Sequence, residues 1–239
     1  MVWSHEKRAG HAEVRTGVDL RDAILGGQDG LVNVLGVILA VATATQDVRI
    51  VIIAGLAATF AESISMAAVA YTSMKAARDF YRSELEREKK EIKEMPDVER
   101  KEIRDIYRKK GFRGTLLNNI VSHITRNEKV WLGTMMDEEL HLSDQDYKNP
   151  LRDAAIVGVS AIIGSLIPLL PFLIFDIRAA VIGSLIFSTL VLFFAGVVKG
   201  KLTTGRPVRS GVELAIIGIA AAVIGYAIGV ALGVAFYAA

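Results

Sequence analysis

Residues 50–95 read IVIIAGLAATFAESISMAAVAYTSMKAARDFYRSELEREKKEIKEM, and the change of material within this stretch decides the fold. From Ile50 to Met74 the run is apolar apart from Glu62 and scattered hydroxyls. It is longer than the about 20 helical residues that a bilayer's hydrocarbon core requires. From Lys75 the chain fills with Glu, Lys and Arg while the helical spacing of its apolar residues continues. One helix is therefore expected to leave an apolar medium and carry on in water. Pro96 ends it, because a proline lacks the N–H that a helix interior uses. The same proline suits the first turn of a new helix, where Asp97 complements the N-terminal dipole.

Four further apolar runs lie outward from that stretch, at 23–45, 153–174, 178–198 and 212–237, so five spans are expected with 50–74. Asp29 interrupts the first run, Glu213 stands at the entrance of the last, and Pro168 and Pro171 predict a helix end or kink in the third. Of the 239 residues 52% are hydrophobic but only 7% aromatic, so Ala, Val, Ile, Leu and Gly carry the apolar runs, as in closely packed membrane helices. Gly225, Gly229 and Gly233 recur every four residues, a spacing that lets helices approach closely, either within one chain or between two copies. The absence of cysteine excludes disulfides and thiolate metal sites. Residues 1–21 are charged and lack an apolar core with a cleavage site, so no removable signal peptide is expected.

Basic residues in the flanks set the expected orientation. Lys7, Arg8, Arg15 and Arg21 precede the first span, and Lys199, Lys201, Arg206 and Arg209 lie between the fourth and fifth. The opposite side offers only Arg49 beside Asp47 and Arg178 beside Asp176. The N-terminus and the stretch 76–150 are thereby expected in the cytoplasm, and the C-terminus outside.

The chain divides into 1–75 with spans one and two, a charged helical unit at 76–150, and 151–239 with spans three to five. Within the middle unit, helices are expected from Pro96 to the break at Gly111 and Gly114, through Leu116 to Arg126, and through Lys129 to His141. Glu84, Glu88 and Glu91 fall at i, i+4 and i+7, and Glu99 and Glu102 at i and i+3, so each set lines one helix face. Met135 and Glu139 stand one turn apart. Carboxylates that converge repel unless a cation or protons neutralise them. The competing reading is a solvated face of Glu–Lys pairs, for which Arg87, Lys89, Lys90, Lys93, Arg100 and Lys101 are present. Met135 beside Trp131 and Leu132 is compatible with plain packing, yet a thioether also suits iron(II) and its neighbours better than Mg²⁺ or Ca²⁺. Glu138 and His141 form one Glu-x-x-His pair, but a di-iron bundle needs a second, and the remaining histidines, His5, His11 and His123, supply none.

In the spans, an ionised acid costs about 2.5–3.5 kcal/mol on insertion scales, so Asp29 and Glu62 are expected to face a polar cavity, a partner or a proton. Met66 follows Glu62 by one turn on the same face, in Glu62-Ser63-Ile64-Ser65-Met66. Carboxylate, hydroxyl and thioether together suit a desolvating transition metal and also a proton. The alternative is a protonated Glu62 bonded to a neighbouring helix, with Met66 simply packed.

These residues carry a resemblance. Gln28-Asp29-Gly30-Leu31 opens the first span, Ser63-Ile64-Ser65-Met66 lies in the second, Glu84-Leu85-Glu86-Arg87-Glu88 leads to Pro96, and Trp131-Leu132 leads to Met135-Met136 and Glu139. In this order and spacing, over nearly the whole chain, the sequence resembles the vacuolar iron transporter family, the group related to the yeast calcium-cross-complementer iron transporter. The resemblance implies a homodimer that exchanges cytosolic Fe²⁺ for protons. It implies a metal-collecting insert with Glu88, Glu91, Glu99, Glu102, Met135 and Glu139 as ligands, and a path between subunits with Asp29 and Met66. Glu62 stands where plant members carry a small residue, a departure that bears on proton coupling and metal preference.

The leading expectation is therefore a five-span, all-α membrane protein that moves Fe²⁺ out of the cytosol as a proton antiporter, with Asp29, Glu62 and Met66 on the path. Mn²⁺, Co²⁺ and Zn²⁺ are the competing ions, since the same donors suit them. No prosthetic group, enzymatic activity or nucleic-acid partner is expected, and no nucleotide-binding loop is present. A prokaryotic cell membrane is the expected location, or a vacuole-type membrane in a eukaryote. The alternative is a membrane-anchored metal sensor or buffer without transport.

Overall fold

A computed structural model describes the backbone of residues 3–143, 149–203 and 205–237, and within those limits the side chains from 20 to 233. His5, His11, Lys7, Arg8 and Arg15 thus have side chains outside the described residues. The described chain is all-helical and contains no strand. Its helices are α1 (Trp3–Thr45), α2 (Val48–Glu94), α3 (Pro96–Lys109), α4 (Gly114–Thr125), α5 (Glu128–Glu138), α6 (Pro150–Leu166), α7 (Ile177–Leu202) and α8 (Pro207–Tyr237), with a 3-10 segment at Ile167–Leu173. Five of them are long and apolar enough to cross a membrane, at Leu20–Thr45, Val48–Glu94, Pro150–Leu173, Ile177–Leu202 and Pro207–Gly233. The protein is a multi-pass membrane protein.

Several boundaries differ from the sequence reading, each for a local reason. α1 begins at Trp3, well before the apolar run at 23: many of the residues there are good helix formers and no proline lies among them, and the helix continues through Gly10 and Gly17. α8 begins at Pro207 rather than 212, since a proline at the first helical position loses no hydrogen bond. α5 stops at Glu138 rather than His141. There the N–H of Leu142 returns to the carbonyl of Met136, and His141 takes a left-handed φ of 54° at the turn. α6 gives way to the 3-10 segment at Pro168 and Pro171, where Ile174 and Phe175 both donate to the Pro171 carbonyl.

The chain forms two compact units, Met1–Tyr71 with Leu151–Ala239, and Thr72–Pro150. In the first, α1 is the central helix: Leu31, Val34, Leu35, Ile38, Leu39 and Ala42 are all buried, an i, i+3, i+4 pattern that packs against Leu169, Phe172, Ala180, Leu192, Leu214 and Ala222. Small residues set the helix spacing. A Cβ at Gly225 or Gly229 would strike the carbonyl of Gly36 or Ala40, so the glycine stripe of α8 is spent inside the chain, on α1. On another face of α1, Gly26 and Gly30 pack on the carbonyls of Val157 and Ala161 in α6. The outer surface is apolar, with Ile53 and Ile64 at 69% exposure and Ile163 and Phe194 at 61%, as suits hydrocarbon rather than water.

The second unit has its own core of Ile92, Ile103, Leu117, Val121, Ile124, Trp131 and Met135. α3 is strongly two-faced, with Ile103 fully buried and most of its charges outward, Glu99 being the buried exception. Gly111 at φ 101° provides the left-handed residue that ends α3, and the Asn127 side chain caps α5 by accepting from the N–H groups of Lys129 and Val130 at 3.0 and 3.3 Å.

Candidate functional site

Polar groups gather in two places, one in each unit. In the membrane-spanning unit the Asn33 amide, one turn after Asp29 on α1, donates to Glu62 of α2 and to Asp29 Oδ2, the latter at 3.4 Å. Asn33 is inconspicuous in the sequence; its signal is an amide at i+4 from an acid within an apolar run. Met66 lies one turn beyond Glu62 and is half-buried. Asp29 and Asn33 are exposed, as are Leu25 and Val37 at the neighbouring i±4 positions, so this polar cluster lies on a face that the described chain leaves uncovered. Ser63, by contrast, is buried at 2% beside Gly158 of α6.

In the second unit, Glu88 and Glu99 are buried at 2% and 3% exposure, and each has one carboxylate oxygen without a hydrogen-bond partner. Arg87 binds three acids of its own helix: Glu84 at 2.7 Å, Glu88 at 3.5 Å and Glu91 at 3.7 Å. Glu99, Glu102 and Glu139 have no such salt bridge among the described residues, which is not the pattern of a solvated Glu–Lys face. Glu138 is taken by Lys110 and His141 is exposed, so the Glu-x-x-His pair does not act as a unit. Met135 is fully buried in the aliphatic core, one turn from Glu139.

Burial and like charge act on several of these acids. Burial, then the charges of Glu102, Glu88, Glu91 and Glu139, raises the Glu99 carboxyl to about 7. Glu139 is likewise raised to about 7, by lost hydration first, then by the charges of Glu102 and Glu88 and a bond to Glu102. Glu88 is raised by burial and by Glu91, against the opposing pull of Arg87. Among the described residues no three His, Asp or Glu side chains stand as a ready-made metal cage; what is present is a set of acids in which burial and like charge raise the carboxyls of Glu88, Glu99 and Glu139.

A model of the VIT family matches residues 20–230. The chain belongs to the VIT family. It is 35% identical over 212 residues to vacuolar iron transporter 1 of Oryza sativa subsp. japonica, covering 88% of this chain and 84% of that one. Similarity to vacuolar iron transporter 1 of Arabidopsis thaliana is 33% over 200 residues, 83% of this chain and 80% of the relative. The vacuolar iron transporter of Plasmodium falciparum (isolate 3D7) is 30% identical over 224 residues, 90% of this chain and 82% of the relative. The VIT-family match contains both polar clusters, from Asp29 to Glu139.

Proposed function

We propose that this VIT-family chain transports iron(II) out of the cytosol in exchange for protons. The observation that carries the reading is the Asp29–Asn33–Glu62 cluster, two carboxyls and an amide held on an uncovered face of helices that are otherwise apolar. Such groups facing hydrocarbon are costly, and a mere tether has no use for them. A second copy of the chain covering this face would turn it into a closed path, so the homodimer and the path between subunits are parts of one reading. The names of the relatives, vacuolar iron transporters of plants and of a parasite, support iron as the ion.

Asp29, Glu62 and Met66 then line the path, with Asn33 holding the two carboxyls. Glu88, Glu91, Glu99, Glu102, Met135 and Glu139 collect the metal from the cytosol. The basic flanks support a cytoplasmic insert and N-terminus. The insert's carboxyls would close on the ion and release their protons, since a ligand must be deprotonated to bind. Protons travel the other way by titrating the carboxyls on the path. Mn²⁺, Co²⁺ and Zn²⁺ compete through the same donors.

The test is a flux assay in proteoliposomes with Fe²⁺ on the insert side and an internal pH reporter. Antiport requires that the loading side acidify as Fe²⁺ leaves it. Fe²⁺ uptake with no proton movement removes the exchange, and no uptake with intact binding leaves a membrane-anchored buffer.

A further inference from the structure

One end of the membrane-spanning unit carries surplus positive charge. Gly225 packs on Gly36 and Gly229 on Ala40, so α1 and α8 run parallel, and the same register brings Ser210 level with Arg21; Gly200 of α7 packs on Ser210. Arg21, Lys199, Lys201, Arg206, Arg209 and, at the start of α6, Arg152 thus share one end, against the acids Asp22, Asp153 and Glu213. Asp22 is buried at 7% and Glu213 already accepts from Arg209 at 3.1 Å, while Arg21, Lys199 and Lys201 are exposed.

Just inside that end, between α1, α6 and α7, is a cavity of about 280 Å³. Its walls are apolar side chains such as Ile24, Leu31, Ile163 and Ala195, with Gln28 and Ser160 the only polar ones. Its lining runs from Ile163, 61% exposed to the hydrocarbon side, to Leu31, 2% exposed in the core. Arg21, Ile24 and Gln28 fall at i, i+3 and i+7 on α1, and Ala195 and Lys199 at i and i+4 on α7. Each cation therefore stands about one helical turn, roughly 5 Å, beyond the cavity on the face that lines it.

We propose that this end of the bundle binds one anionic phospholipid, its phosphate between Arg21 and Lys199 and one acyl chain in the cavity. Charge and shape select the same molecule. An apolar cavity of about 150 Å³ already holds a six-carbon ring, so this one takes a stretch of acyl chain. Lys and Arg at a bilayer surface attract anionic lipid, and removing two of them is worth about thirtyfold in affinity. The site faces away from the Asp29 side of α1 and stands independently of the transport reading.

The full-length protein is equilibrated with vesicles of phosphatidylglycerol and phosphatidylcholine in equal parts, and the lipid it retains is counted by native mass spectrometry. One phosphatidylglycerol per chain is expected. Arg21→Gln with Lys199→Gln should lower its retention about thirtyfold. Ala195→Phe, which fills the cavity, should lower retention of both lipids with the number of chains per particle unchanged. Equal retention of the two lipids by the unaltered protein overturns the proposal, as does unchanged retention in the Arg21→Gln, Lys199→Gln variant, whose exposed positions leave folding intact. If Ala195→Phe instead splits the particle into single chains, a second copy covers the cavity and the lipid assignment fails.

Discussion

In the membrane-spanning unit Asp29 and Glu62 are two carboxyls joined through one amide, on a face that the described residues leave uncovered. In the unit of Thr72–Pro150, by contrast, five carboxyls from α2, α3 and the end of α5 lie near one another, Glu88 and Glu99 buried and Glu139 exposed, and Arg87 makes ion pairs only with those on its own helix. The first arrangement is sparse, its carboxyls hydrogen-bonded to one amide; the second is dense, with the carboxyls of Glu99 and Glu139 raised by burial and neighbouring charge. A sparse pair suits passage, because an ion held by few donors can leave again. A dense set suits capture, because its repulsion is relieved when a cation arrives.

The contrast breaks most readily at Asp29. Asp29→Ala should reduce Fe²⁺ flux in proteoliposomes to the background of protein-free vesicles, while calorimetric Fe²⁺ binding at the insert stays unchanged. Surviving flux would mean the two regions do not divide the work in this way. Replacing Glu88, Glu91, Glu99 and Glu102 together by Gln should have the opposite profile. Binding weakens by at least about 100-fold, and flux at saturating Fe²⁺ persists. An unaltered affinity would restore the solvated-face reading of α2 and α3.

Acidity sharpens the comparison. Glu99 and Glu139 hold protons up to about pH 7, so a cation must displace them below that value and need not above it. Fe²⁺ affinity of the insert is expected to fall by up to about 100-fold between pH 8 and pH 6, with proton release seen as a buffer-dependent heat. The sign for stability is reversed. Both carboxyls bind protons more tightly when folded than unfolded, so without metal the insert is most stable below about pH 4.5 as far as these groups go and loses that contribution as pH rises through 7. The smallest effect is expected at Asn33. Asn33→Ala removes one amide bonded to carboxyls, and flux should fall about tenfold, with insert binding untouched.

Much of this was legible along the chain. Apolar runs gave five spans because a helix in hydrocarbon must be apolar for its whole crossing, a one-dimensional property. Pro96 and Gly111 marked the helices of the insert because their constraints are local. Asp29 and Glu62 stood out as acids in apolar surroundings. Asn33 did not, because an amide attracts notice only when its partner is known, and Glu62 is on another helix. Arg87 likewise read as one charge among many, yet it serves three acids at once.

Sequence by itself determined the spans, the helical insert and the kinds of donor available, since hydropathy and helix periodicity are properties of neighbours in the chain. The tertiary structure alone decided that the glycines of α8 pack on α1, that Met135 sits in the aliphatic core of its unit, and that Asn33 bonds both membrane carboxyls. Each of these depends on which face of one helix meets which face of another. That choice is made by packing and hydrogen-bond geometry between residues distant in sequence, and no periodicity along one helix encodes it.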